Sequence, residues 1–234
     1  MKRPFAILKT GSTDKPLSRK FGDFEHWIMR KSGLLPEAFS VFDVADIREW
    51  PNPKRFKALI ITGSHTNVTE NPHWLKRLTH FLQDARESGV PMLGICFGHQ
   101  LLAYAFGGKV AENPNGAEFG MVPIQLTPNA KNDLLFAGIQ NPFNAYMSHR
   151  QTVVLLPDKA QLLAQSPQDR HAAFYLPPYI WGVQFHPEFD NTIMRWYLNH
   201  HFGIPESDFS RYLKNSDQSP NIIRKFLDLT VQLN

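Results

Sequence analysis

From residue 5 to residue 108 the chain alternates short apolar runs with stretches of helical periodicity, and this limits its folds more than any other feature. FAIL (5–8), FSVFDV (39–44), KALIITGS (57–64) and VPMLGI (90–95) are brief apolar runs bounded by turn residues, the pattern of buried strands. FEHWIMRKSGLL (24–35) and PHWLKRLTHFLQDARESG (72–89) carry apolar stripes at helical spacing and reach Gly33 and Gly89, residues that end helices. GHQLLAYAFGG (98–108) reads as a third helix. Strand followed by helix, repeated, predicts an α/β fold with a mostly parallel sheet and helices on its faces.

Beyond Lys109 the pattern changes to short β-like pieces, MVPIQLT (121–127) and NAYMSH (144–149), separated by Asn, Pro and Gly. These predict a small antiparallel β extension rather than a new domain. YIWGVQFH (179–186) reads as a late strand, and DNTIMRWYLNHHF (190–202) as a helix capped by Asp190 or Asn191. The expected organisation is a single domain over 1–234, with its core at about 5–202 and a helical C-terminal tail at 203–234.

The one cysteine, Cys96, excludes an intramolecular disulfide and a cysteine-based zinc site. The N-terminal apolar stretch is too short for a signal peptide, and no run approaches bilayer length. A cytoplasmic protein without membrane contact is expected. The net charge of +4 comes from small separated basic clusters such as Arg19-Lys20 and Arg224-Lys225, with acids between them. Such a charge reads as a mildly basic solvated surface rather than a nucleic-acid site.

Gly94-Ile95-Cys96-Phe97-Gly98 places that cysteine where a strand meets a helix, flanked by two glycines. This is the form of a nucleophile elbow. The turn is so tight that side chains at 94 and 98 would meet neighbouring backbone, and the nucleophile is held strained at the sheet edge. The helix start favours the thiolate and leaves the Phe97 N–H ready to donate to an oxyanion. The bland alternative is a small buried cysteine ending a core strand. A thiolate doing acyl transfer needs a histidine base and an orienting group. In GVQFHPEF (182–189), a strand would deliver His186, and Glu188 two positions on would point the same way in extended backbone.

GICFGHQ and the later QFHPE together resemble the class I glutamine amidotransferases over residues 5 to about 200. The order Cys…His-x-Glu differs from α/β-hydrolases, where the acid precedes the histidine. Phe97 stands where the related intracellular proteases carry a histidine. The resemblance implies a flavodoxin-like three-layer sandwich and a triad of Cys96, His186 and Glu188. Cys96 would attack the γ-carboxamide of glutamine, and His186 would protonate the departing ammonia, then activate water. Glu188 would fix the ring. The oxyanion hole would combine the Phe97 N–H with one from the loop at Gly63 and Ser64, where Ser64 replaces the second glycine of the usual pair. Gln100, Ser148 and His149 would bind substrate, and Gln151 stands where many relatives have aspartate. His99 is expected to pack or bond locally, and His200 and His201 to be surface or packing residues. NPNGAEFGMVPIQLT (113–127) resembles the stand-alone subgroup that includes GMP-synthase-like proteins and plant γ-glutamyl peptidases. Within it, Glu118 either orients substrate or caps a turn.

Neither metal nor cofactor is expected. Three functional readings follow from the resemblance. The first is a glutaminase releasing ammonia for a separate synthase subunit. The second is a self-sufficient γ-glutamyl hydrolase or peptidase acting on a γ-glutamyl compound. The third is a non-catalytic regulatory binding protein on the same fold.

Overall fold

The computed structural model describes residues 3–214 and 220–233. Strands β1 (Phe5–Lys9), β2 (Phe39–Asp43), β3 (Leu59–Ile61), β4 (Met92–Ile95) and, from far down the chain, β11 (Ile180–Val183) run parallel in the order β2-β1-β3-β4-β11. Both faces of this sheet are covered, which is why its strands read as continuous apolar runs. Alternate side chains serve opposite layers. Ala6, Leu8, Leu59, Ile61 and Met92 join one core, and Ile7, Ile60, Leu93, Ile95 and Val183 join the other.

Helices α3 (Leu75–Glu87) and α4 (Phe97–Ala105) cover the first face with Leu78, Phe81, Leu82, Leu101 and Leu102. Helices α2 (Phe24–Ser32) and α6 (Ile222–Leu233) pack together on the second, where Ile28, Ile223 and Phe226 are fully buried. Each such side chain contributes roughly 1.5–3 kcal/mol relative to exposure. Two further helices, α1 (Lys15–Phe21) and α5 (Asn191–His200), sit at one end with Trp27 and Phe189 in a third cluster. Asp190 caps α5 by accepting from the Ile193 N–H at 2.9 Å, which decides between the two expected caps.

The antiparallel extension is larger than expected. β10 (Ala173–Leu176), β9 (Gln161–Gln165), β6 (Glu118–Leu126) and β7 (Phe143–His149) continue the same sheet beyond β11, giving nine strands. β5 (Lys109–Glu112) and β8 (Gln151–Leu155) form a separate two-stranded ribbon. The last parallel strand stops at Val183 rather than 186, and residues 186–189 make a turn in which the Phe189 N–H donates to the His186 carbonyl at 3.3 Å. Among the described residues no helix is long and apolar enough to cross a membrane.

One consequence of strand order positions the site. β3, β4 and β11 are adjacent and parallel, so the chain leaves all three at the same carboxyl edge, where open α/β sheets bind ligands.

Candidate active site

Three loops meet at that edge, carrying Gly63 and Ser64 after β3, Cys96 after β4 and His186 after β11. Cys96 has φ 51° and ψ −103°, a conformation that side chains rarely adopt. It is held there from both sides. Its N–H donates to the Val183 carbonyl at 2.8 Å, and its carbonyl accepts from the Gln100 N–H. The flanking glycines are required by space. A Cβ on Gly94 would lie 2.4 Å from the Gly98 carbonyl oxygen, and one on Gly98 would lie 2.4 Å from the Ile61 carbonyl oxygen. The start of α4 is thus pressed onto β3 and β4, and the Gly98 N–H seals the contact by donating to the Thr62 carbonyl at 3.1 Å. Phe97 supplies the first amide of α4, which has no acceptor within the helix by geometry.

His186 and Glu188 are both buried, with Nδ1 and Oε1 2.8 Å apart. Glu188 reaches back through the 186–189 turn, so the expected contact forms, though not along extended backbone. The ring is further fixed by stacking on Phe189 at 4.0 Å, and the His186 N–H donates to the Tyr146 carbonyl at 2.8 Å. Burial alone would depress the His186 pKa. The Glu188 carboxylate and then the neighbouring Cys96 sulfur outweigh it and raise the pKa to about 10. The other ring nitrogen, Nε2, is buried without a hydrogen-bond partner. His186 Cε1 and Cys96 Cβ both lie close to where a Cβ on Gly63 would be, at 3.2 and 3.8 Å from it.

The Gly63 carbonyl accepts from the Thr10 hydroxyl at 3.1 Å and the Thr62 hydroxyl at 2.9 Å. A trans peptide directs its N–H opposite its C=O. The two threonines therefore fix the direction of the Ser64 N–H. The Ser64 hydroxyl is itself engaged, donating to the Thr10 carbonyl at 3.1 Å.

A cavity of about 340 Å³ opens at this point, lined by Ser64, Cys96, Phe97, Gln100, Ser148 and His186 among others. That volume is at the small end for ligand sites and fits an amino acid. Gln100 is held by its amide nitrogen, which donates to the Gln151 carbonyl at 2.8 Å and Gln184 Oε1 at 3.0 Å. The Ser148 carbonyl lies 3.9 Å from the Cys96 sulfur. His149 reaches the cavity wall but spends its ring on the Gln151 carbonyl at 2.9 Å and Glu118 at 3.3 Å. Glu118 also accepts from the Ser166 hydroxyl at 2.6 Å and the Gln168 N–H, tying β6 to the 166–168 loop. It is an internal tie and does not line the cavity. His99 packs on Phe174 at 5.0 Å, and full burial lowers its pKa to about 4, keeping it neutral.

One expectation fails. His201 is more than a surface or packing residue, for Nε2 pairs with Asp14 Oδ2 at 2.8 Å and the ring lines the cavity. His65, Tyr197 and Phe202 line it too and had no local signal, because the fold brings them there from distant positions.

Known proteins share both sequence and fold with this chain. The pattern of the glutamine amidotransferase class-I family matches residues 21–202. A glutamine amidotransferase-like protein of Schizosaccharomyces pombe is 28% identical over 206 residues, covering 81% of this chain and 80% of that protein. Gamma-glutamyl peptidase 5 of Arabidopsis thaliana is 26% identical, covering 94% of this chain and 90% of the peptidase. The glutamine-hydrolysing GMP synthase of Staphylococcus saprophyticus is 44% identical over 137 residues, covering 58% of this chain but 25% of the synthase. A glutamine amidotransferase structure from Thermotoga maritima superposes with TM-score 0.73 at 18% identity, over 99% of this chain and all of that one. By sequence pattern and by fold, the chain belongs to the class I glutamine amidotransferase family.

Proposed function

We propose that the protein is a glutaminase working through Cys96, His186 and Glu188, and that the ammonia it releases is passed to a separate acceptor enzyme. The observation that carries this reading is the buried His186–Glu188 pair, 2.8 Å apart, beside a cysteine on a strained strand-to-helix turn. The Cys96 sulfur attacks the γ-carboxamide carbon and forms a C–S bond. The resulting oxyanion is met by the Phe97 N–H and by the Ser64 N–H, whose direction is set by the clamped Gly63 carbonyl. The C–N bond then breaks as the His186 imidazolium gives its Nε2 proton to the departing ammonia. Water attacks the γ-glutamyl thioester and returns a proton to His186, releasing glutamate and the thiol. Glu188 stabilises the charged ring throughout. Gln100 and the Ser148 segment hold the amino-acid end of the substrate. No cofactor takes part in these steps.

A single cysteine used as a nucleophile supports a reducing, cytoplasmic setting. The helix α6, packed into the core through Ile223 and Phe226, supports one domain for the whole chain. A second reading, a self-sufficient γ-glutamyl hydrolase, is favoured by the similarity to a γ-glutamyl peptidase along nearly the full length of both chains.

Ammonia release by the purified protein from glutamine and from a panel of γ-glutamyl compounds separates the readings, beside a Cys96→Ala control. Weak release from glutamine, lost in the control and increased by an acceptor enzyme, supports the glutaminase. Robust turnover of a γ-glutamyl conjugate without any partner supports the hydrolase. No release from any compound, with an unreactive Cys96, overturns both and leaves a binding protein.

A further inference from the structure

We infer that Asp14, His65 and His201 form a binding site for one divalent transition-metal ion of the zinc class, at the wall of the active-site cavity. One carboxylate oxygen of Asp14 and one ring nitrogen from each histidine lie within 4.8 Å of one another. Two imidazoles and a carboxylate are the donor set of zinc-type ions, whereas calcium and magnesium prefer oxygen alone. Donor atoms around one tetrahedral zinc lie about 3.3 Å apart. The Asp14–His201 pair at 2.8 Å needs only to open slightly, and the His65 ring already lies 4.7 Å from the His201 ring, centroid to centroid.

The surroundings resemble an outer ligand shell. The Trp196 indole N–H donates to Asp14 Oδ2 at 3.1 Å, and the Tyr197 hydroxyl bonds His65 Nε2 at 3.0 Å. Such partners fix carboxylate and ring orientation before an ion arrives. Asp14 is placed by its neighbour Thr13, whose N–H donates to Asp23 at 2.9 Å and whose hydroxyl bonds the Tyr197 hydroxyl at 3.0 Å.

His65 and His201 line the same cavity as Cys96. A thiolate also binds zinc, so the test uses the full chain carrying Cys96→Ser, which removes that ligand and makes the result independent of whether the protein hydrolyses glutamine. Zinc is titrated against a chromophoric chelator, with thermal unfolding followed with and without the ion. One zinc per chain is expected, with zinc raising the melting temperature and calcium leaving it unchanged. Adding Asp14→Asn, His65→Ala or His201→Ala should each weaken binding about 10- to 100-fold or more and remove the thermal shift. His80→Ala, an exposed histidine on α3 that does not line the cavity, should bind as the parent does. Three ligand variants on three separate segments guard against one misfolding. Absence of stoichiometric zinc in the parent, or binding indifferent to all three substitutions, overturns the inference.

Discussion

Replacing Gly98 with alanine should damage both stability and turnover, although alanine is the better helix former by roughly 1 kcal/mol. Gly98 lies within α4, so helix propensity alone predicts a gain. Space predicts the reverse, because the new Cβ would sit 2.4 Å from the Ile61 carbonyl oxygen and 2.9 Å from its carbon. Both obstacles belong to a central strand and cannot swing aside. Restoring ordinary contact at 3.4 Å requires the start of α4 to retreat by about 1 Å. Overpacking of this kind costs roughly 1–3 kcal/mol; against the propensity gain the net loss is up to about 2 kcal/mol, which lowers the melting temperature by up to about 8 °C. The same retreat stretches the Gly98–Thr62 hydrogen bond and carries Cys96 and the Phe97 N–H away from Gly63. A misplacement of about 1 Å between reacting groups costs on the order of 100-fold in rate. Calorimetry and steady-state ammonia release measure the two effects in one preparation. A G98A protein with parental melting temperature and parental turnover would refute the idea that this close approach places the nucleophile.

Cys96→Gly should abolish turnover yet raise stability by roughly 1 kcal/mol, since it relieves a strained φ of 51°; a lowered melting temperature would contradict this. Because the His186 pKa is raised above its ordinary 6.5, its contribution to stability is complete below about pH 6.5 and is lost as pH rises toward 10. Thermal melts from pH 6 to 10 should therefore show a decline that is shallower in Glu188→Gln, and parallel profiles would count against the coupling. Thr10→Val removes one of two hydroxyls on the Gly63 carbonyl and should lower kcat up to about tenfold with KM nearly unchanged, as loss of one hydrogen bond to a positioning group predicts. An effect confined to KM would place Thr10 in substrate binding instead.

The parts of the fold that depend on local pattern were legible in the sequence. Doubly covered strands such as β1 and β4 must be apolar on both faces, so their runs stand out, and the Gly-x-Cys-x-Gly turn is a local steric requirement. The short outer strands were not legible. β9 begins exposed and has only Leu163 and Ala164 buried, and β8 ends with Val154 and Leu155 exposed, so neither carries a clean alternation. α1 has seven residues and one buried side chain, Leu17, too little for a periodic stripe. The histidine and glutamate two positions apart do meet, but through the turn at Pro187 rather than along extended backbone. Asp14 and His201 meet across most of the chain length. No local spacing encodes such a contact, which exists only once α1 and α5 pack at the same end of the sheet.

The proposed attack of Cys96 on glutamine, driven by His186 and Glu188, requires a sulfur that reacts inside a glutamine-binding cavity. Intact-mass spectrometry of the protein treated with an electrophilic glutamine analogue tests it most directly. One adduct is expected, mapped to Cys96, suppressed by excess glutamine and formed more slowly in Glu188→Gln. An unmodified protein, or alkylation of Cys96 that glutamine does not slow, would contradict it.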